Sequence, residues 1–430
     1  MSPQASLRFI AVLLPVLGVS TTQAQSTLTL DDAQRVAVER SRQIVAQDAA
    51  IAASREMAVA ARRLPDPVAT IGVNNLPVDG PDRFSLTRDF MTMRSVGVMQ
   101  EFTREAKRDA RAEHLLRQAD QSRAEKELAT VNVRRDTALA WLDRYYAEAM
   151  AAVVAEQSRQ ARLEIEAAEN AYRNGRGNLA DVLAARSALT MLDDRASELG
   201  RRAATARITL SRWIGDLASE PLAGKPSIDS IHLDPATLGT DLQHHPDLTV
   251  LARKEDLAAA DVRVAEADKK TDWTVALMYS QRGPAFSNMV SLNVSVPLQW
   301  DQKNRQDREV AAKLAMLDQA RAEREDMTRA HTAEIRAMIV EWQNNRERLT
   351  RYTNDLLPLA IERTQAMLGA YRTAKASAGD VLLARRNEID VRLQALQLEA
   401  EIARMWAQLE FLLPEKMMTT AHTTGVEKPQ

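Results

Sequence analysis

Apolar and polar positions follow two different rhythms along this chain. Leu128, Val131, Arg135, Ala138, Leu142, Tyr145 and Ala149 are separated by alternating steps of three and four, and so are Met338, Trp342, Asn345, Leu349, Tyr352, Leu356 and Leu359. That is the period of long helices packed through a narrow seam, in which polar members such as Arg135 and Asn345 fix register. Helix breakers are absent around both seams. There is no proline between Pro81 and Pro221 or between Pro297 and Pro358, and no glycine between Gly97 and Gly175 or between Gly283 and Gly369. An uninterrupted helix from Arg104 to Arg173 would be roughly 100 Å long at 1.5 Å per residue.

The second rhythm has a period of two. The segment from Val290 to Gln299 alternates apolar and polar residues, and Trp273, Val275, Leu277 and Tyr279 share one face of the segment Trp273–Ser280. Ten-residue alternation with an apolar outer face is what a strand of a transmembrane barrel requires. The loop from Gln281 to Asn288, carrying Gly283-Pro284, makes these two segments a hairpin. Pro67–Asn74 and Met93–Phe102 form a second candidate pair across a loop rich in Pro, Asp and Gly. Four strands cannot close a barrel, because small barrels need about eight. A chain built this way must share its barrel with other copies.

A duplication organises these elements. The segment Ala171–Arg186 has a counterpart 199 residues later, Ala370–Arg385, and both carry Ala-Tyr-Arg, Asp-Val-Leu and Ala-Arg at identical spacing. Upstream, Val96–Phe102 matches Val294–Trp300 at nearly the same offset. Each half is therefore expected to run helix, strand, loop, strand, long helix, turn, helix. The expected boundaries are 25–215 for the first repeat, 216–243 for a connector containing Pro221, Pro226 and Pro235, 244–414 for the second repeat, and 415–430 for a C-terminal tail.

Composition narrows the setting. Arg8 precedes an apolar run from Phe9 to Val19 and a small-residue exit ending at Ala24, so residues 1–24 are expected to be a cleaved secretory signal. That run, about 11 residues, is far short of the roughly 20 that span a bilayer as a helix. Elsewhere the chain is too charged for membrane helices, at 27% Asp, Glu, Lys and Arg. An exported chain inserted in lipid would then do so as a barrel. Cysteine is absent, which excludes disulfides, thiolate metal sites and an N-terminal lipid anchor. A net charge of −2 gives no sign of nucleic acid as a partner. No Walker loop, dinucleotide glycine motif, zincin helix or nucleophile elbow occurs, so neither an enzyme nor a cofactor is expected.

With its tandem Ala-Tyr-Arg…Asp-Val-Leu…Ala-Arg segments and strand pairs, the mature chain resembles the TolC-like outer-membrane efflux proteins over both repeats. The stretch Val296–Arg305 is similar to the strand-to-helix junction of that family's heavy-metal branch. The resemblance implies a mainly α chain with a β-barrel portion: a long α-helical barrel continuing a 12-stranded transmembrane barrel shared by a homotrimer. It implies an outer-membrane location reaching into the periplasm, and a passive exit duct working with a periplasmic adaptor (a membrane fusion protein) and an inner-membrane RND transporter. Heavy-metal cations such as copper, silver, cobalt, zinc or cadmium would be its cargo. Drug efflux or type I secretion is the alternative within the class, and a soluble periplasmic adaptor or coiled-coil scaffold the alternative outside it.

The resemblance also selects residues. Asp181 and Asp380 sit at equivalent tip positions, and the family's aperture is lined by acidic residues near the second tip, which makes Asp380 the better ring candidate. The alternative is that each aspartate caps its returning helix, a reading that weighs more for Asp181 than for Asp380. Leu383 stands where a second acidic residue is expected, which leaves Arg385 and Arg386 as other groups able to hold a gate. Gly175 and Gly177 suit a tight first turn, whereas the second turn has Ala374 and Ala376 with Gly379 nearby. Arg173, Arg176, Arg372 and Lys375 are available for adaptor docking. Met91, Met93 and Met99 are weak candidates for soft-metal contact. His244 and His245 precede Pro246 as a loop or cap and not as a ligand pair, and His114 and His331 stand alone on charged helices.

Overall fold

The computed structural model describes residues 27–175, 177–231, 245–373 and 375–412. The expected signal segment, part of the connector and the C-terminal tail lie outside the described residues.

The first half begins with helices α1 (Leu30–Arg40) and α2 (Arg42–Ala61), hinged at Ser41, whose hydroxyl accepts from the Ile44 N–H. Strands β1 (Val68–Asn74) and β2 (Met93–Phe102) follow, then helix α3 (Glu105–Arg173) and helix α4 (Leu179–Ile214), ended by a short 3-10 turn. Helix α5 (Pro246–Asp268) opens the second half, with strands β3 (Trp273–Gln281) and β4 (Met289–Ser295). Helix α6 (Gln306–Arg351), a π turn (Tyr352–Leu356) and helix α7 (Leu357–Arg372) make its long arm, and helix α8 (Ala378–Glu410) returns. The two halves repeat one element order. The returning helices start at Leu179 and Ala378, the same 199-residue offset as the duplicated segments.

Helix α3 is a single element of 69 residues, about 100 Å long. Its seam lies on the packed face, with Val131, Ala138 and Leu142 buried, but burial is wider than a coiled-coil stripe and takes in Thr137, Trp141 and Tyr146. The cause is that α1, α2, α4, α5 and α8 all pack on α3 along its length. Around its middle, the Trp141 indole donates to the Leu28 carbonyl at 3.2 Å, and Leu28 pairs in parallel with Leu222 of the connector. On α8 the Trp406 indole donates to the Ser230 carbonyl at 2.9 Å. These bonds wrap the connector onto a core that includes Leu142, Leu210, Ile214, Ile402 and Leu409.

The second long arm differs from its expected form. Pro358 has no N–H for the preceding turn, and the helix widens there into the π turn at Tyr352–Leu356. One extra residue per turn shifts every later side chain around the axis. Trp342 and Asn345 are buried as the seam predicts, but Leu356 and Leu359 are exposed, and burial passes to Ala360 and Thr364. Strand β4 also stops earlier than Gln299, because Pro297 cannot donate to a ladder.

All four strands form one antiparallel sheet in the order β1-β2-β3-β4, so the two hairpins join through β2 and β3. The sheet is open: among the described residues β1 and β4 each pair on one side only. Where sheet meets helices, Asp272 accepts from the Arg104 N–H at 2.9 Å and from Lys107 Nζ at 2.7 Å. Lys107 is buried and also lies 3.3 Å from Asp268. This knot ties the strand-to-helix junctions of the two halves together.

Candidate functional site

Cross-strand partners share a face, so the register sorts the sheet into two surfaces. One surface carries the rows Ala69–Val98–Leu277–Leu292 and Ile71–Val96–Tyr279–Val290, with Val275 beside Val294. Its side chains stand free: Ile71 is 87% exposed and Leu292 67%. The other surface carries Thr70–Gly97–Met278–Ser291 and Gly72–Ser95–Ser280–Met289, mostly small or polar. Small residues are required there: a Cβ on Gly97 would come within 2.9 Å of the Leu277 carbonyl oxygen. β2 has ten residues and β3 nine, the length that crosses a hydrocarbon layer of roughly 25 Å when tilted about 45°. Aromatic side chains mark both ends, as interfacial rings do. Phe102 and Trp273 stack at 4.4 Å beside the helices, with Trp300 exposed on that side, while Phe84 and Phe90 are exposed in the opposite loops.

The methionines do not gather around one point. Met93 and Met99 lie six residues apart on β2, roughly 20 Å along the strand, and Met91 precedes the strand in the loop.

At the far end of the helices the duplicated segments form two turns. In the first, Gly175 has φ +70°, and a Cβ on Gly177 would lie 3.2 Å from the Ala171 Cβ and the Tyr172 nitrogen. Both glycines therefore have a backbone reason. Asn178 caps α4 by accepting from the Asp181 N–H at 2.8 Å. In the second turn, Ser377 and Asp380 make a reciprocal capping box. The Asp380 carboxylate accepts from the Ser377 N–H at 2.9 Å and its hydroxyl at 2.7 Å, while the Asp380 N–H donates back to Ser377 Oγ. Those bonds hold the exposed Asp380 carboxyl below its usual value. Gly379 lies inside the first turn of α8, not in the bend itself. Arg173 ends α3 with Glu169 at 3.7 Å, and Arg372 ends α7, with Lys375 exposed beyond it. Arg176 lies outside the described residues.

The two tips sit side by side, tied by ion pairs the sequence pattern did not single out. Arg385 Nε of α8 lies 2.7 Å from Glu164 of α3, and Arg385 Nη1 donates to Gln160 Oε1. Arg195 of α4 lies 2.7 Å from Asp390 of α8. Burial pushes the Glu164 carboxyl up, opposed by the charge of Arg385. Between α4 and α8 runs a groove of about 430 Å³, lined by Ser187, Met191, Leu382 and Leu383 among others. Leu383, where an acid was expected, gives it an exposed apolar wall.

Two histidines depart from their expected isolation. His245 caps α5 as anticipated, accepting from the Asp247 N–H at 3.2 Å. His331 of α6, however, packs on it, with ring centroids 5.0 Å apart. Burial chiefly, countered by Asp247 and reinforced by His331 and Arg135, pushes His245 down to about 4. The separation of 86 positions between the histidines hides the pairing from any sequence pattern. His114 lies 3.0 Å from Asp261. His244 lies outside the described residues.

Among the described residues, no helix is long and apolar enough to cross a membrane. No protein-family model matches the chain, and no curated protein matches it in sequence. Solved structures do match. The outer-membrane channel OprN is 18% identical with a TM-score of 0.74, the match covering 89% of each chain. CusC, whose report concerns transmembrane channel formation, is 15% identical with a TM-score of 0.73, covering 90% of this chain and 92% of that one. The Campylobacter jejuni outer-membrane channel CmeC is 12% identical with a TM-score of 0.74, covering 98% of this chain and 97% of that one. CusC is no nearer than OprN, so the likeness does not separate a metal branch. What these neighbours carry is the fold: the chain is built as outer-membrane channels are, with a long helical body and a barrel portion, and its neighbours are channels, not enzymes.

Proposed function

We propose that the chain is the outer-membrane duct of a tripartite efflux pump, of the TolC-like kind. The observation that supports this most is the open four-stranded sheet, apolar on one face and small or polar on the other, continuing into helices about 100 Å long. Four strands with two free edges are stable in lipid only if other copies complete the ladder. Three copies supply 12 strands, within the range of small closed barrels. The exposed rows of Val, Leu and Ile would then face lipid, and the Ser, Thr and Gly rows an aqueous lumen.

The helical tips are the gated end. In a trimer, three Asp380 carboxylates would surround one axis, attracting cations and repelling one another, with Asp181 on a second ring. The capping box does not compete with this role, because a carboxylate has two oxygens and only Oδ2 is engaged. Arg173, Arg372 and Lys375, with Arg176 and the turn glycines, are the docking groups for a periplasmic adaptor, which couples the duct to an inner-membrane RND transporter. The chain itself is passive. Heavy-metal cations are the proposed cargo, on the similarity of Val296–Arg305 to the metal branch. A metal-sensitivity and drug-sensitivity profile of a deletion strain tests the cargo: selective sensitivity to copper, silver, cobalt, zinc or cadmium supports it, and sensitivity to drugs alone replaces it with drug efflux.

A further inference from the structure

We infer that His245, Asp247 and His331 form a binding site for one borderline divalent cation, with Zn²⁺ as its natural occupant, joining α5 to α6. One ligand atom from each of the three side chains lies within 4.8 Å of the others. Asp247 Oδ2 is central, 3.6 Å from His245 Nδ1 and 3.8 Å from His331 Nε2. The one lone pair of Nδ1 accepts the Asp247 N–H in the metal-free chain, so an ion bound there replaces that cap bond. Ligand atoms about 2.0–2.1 Å from a tetrahedral zinc are roughly 3.4 Å from one another. The two contacts to Asp247 need to close by well under 1 Å, and the separation between the imidazole nitrogens, within 4.8 Å, by up to about 1.4 Å.

A second feature points the same way. The other nitrogen of His331, Nδ1, faces Glu334 Oε2 at 3.9 Å. That distance is beyond hydrogen-bond length, but a carboxylate on that side is placed to close onto Nδ1 when Nε2 takes a metal, the recurrent outer support of zinc histidines. The site is also built into packed structure: His245 is 4% exposed, and the two rings lie tilted at 35°.

The donor set selects the ion. Two imidazoles and one carboxylate suit Zn²⁺, Co²⁺, Ni²⁺ or Cu²⁺; Ca²⁺ and Mg²⁺ want oxygen ligands, and Cu⁺ or Ag⁺ want sulfur. One carboxylate leaves a bound divalent ion with a net positive charge, and Arg135 adds repulsion from the His245 side. Arg135 is itself paired with Asp136 at 3.0 Å, which weakens that repulsion. Three protein ligands leave a fourth position for water. Such an ion would clip the first turn of α5 to the middle of α6, remote from both the sheet and the tips.

The test uses the full untagged chain in detergent, stripped with a chelator and titrated with Zn²⁺ against a chromophoric competitor, with Co²⁺ as a spectroscopic probe. One Zn²⁺ per chain, a rise in Tm on binding, and visible Co²⁺ bands of low-symmetry coordination are expected. His331→Gln and Asp247→Asn, which leave the His245 cap in place, should each weaken Zn²⁺ binding by at least about 100-fold, and Glu334→Gln by about 10-fold or more. His114→Gln should bind as the parent does. Stoichiometric binding that survives both His331→Gln and Asp247→Asn, or no binding tighter than that of Mg²⁺, would overturn the assignment.

Discussion

A single pair of neighbouring substitutions separates a lipid-facing sheet from a water-facing one. Leu292 and Ser291 are adjacent on β4 and point to opposite surfaces. Leu292 ends the row Ala69–Val98–Leu277–Leu292, near the middle of the strands and thus of the proposed hydrocarbon layer. Arginine on the lipid face of a barrel at that depth costs about 2–4 kcal/mol, or roughly 30- to 700-fold in the folding equilibrium at 1.4 kcal/mol per tenfold. Every chain of the assembly bears that cost. Arginine at Ser291 would project into water, where a surface substitution changes stability by about 0.5 kcal/mol or less. Urea unfolding of both variants in lipid vesicles, followed by tryptophan fluorescence, measures the two costs. Leu292→Arg should be destabilised by at least about 1.5 kcal/mol relative to Ser291→Arg. Equal costs, or a larger cost at Ser291, would refute the assignment of the faces.

Three further outcomes follow from local geometry. A Cβ on Gly283 would lie 1.8 Å from the Thr87 carbonyl oxygen, so Gly283→Ala must part the two hairpin loops; a loss of about 1–3 kcal/mol and faster proteolysis there are expected in thermal and limited-digestion assays. Arg385→Ala removes the tie from α8 to Glu164 and Gln160, so hydrogen exchange should quicken at the tips of α7 and α8, while the core around Trp141 keeps its protection. The capping box lowers the Asp380 carboxyl below its ordinary 3.8, so its stabilising contribution is present at neutral pH and is lost as pH falls through the lowered value. Asp380→Asn should therefore increase exchange at the start of α8 at pH 5, with the difference from the parent closing only well below pH 3.8.

Local chemistry made much of this architecture visible in the sequence. Long runs without Gly or Pro specified the arms, period-two alternation specified β3 and the start of β4, and the matched Asp-Val-Leu segments placed both turns. Where one proline intervened, the pattern misled. Pro358 forced a π turn that moved the seam from Leu359 to Ala360, and Pro297 ended β4 early. Contacts between distant elements were hidden altogether. The pairing of Arg385 with Glu164 spans 221 residues, and His245 meets His331 only because α5 packs on α6. Periodicity reports the face a residue occupies, not the residue it meets there.

Conductance across a planar bilayer tests the central claim most directly, that this chain shares a barrel to form a pore. Detergent-purified protein should insert and give discrete, uniform conductance steps, with divalent cations lowering the current in the parent and lowering it less in Asp380→Ala. A water-soluble monomer that leaves the bilayer silent would contradict the account.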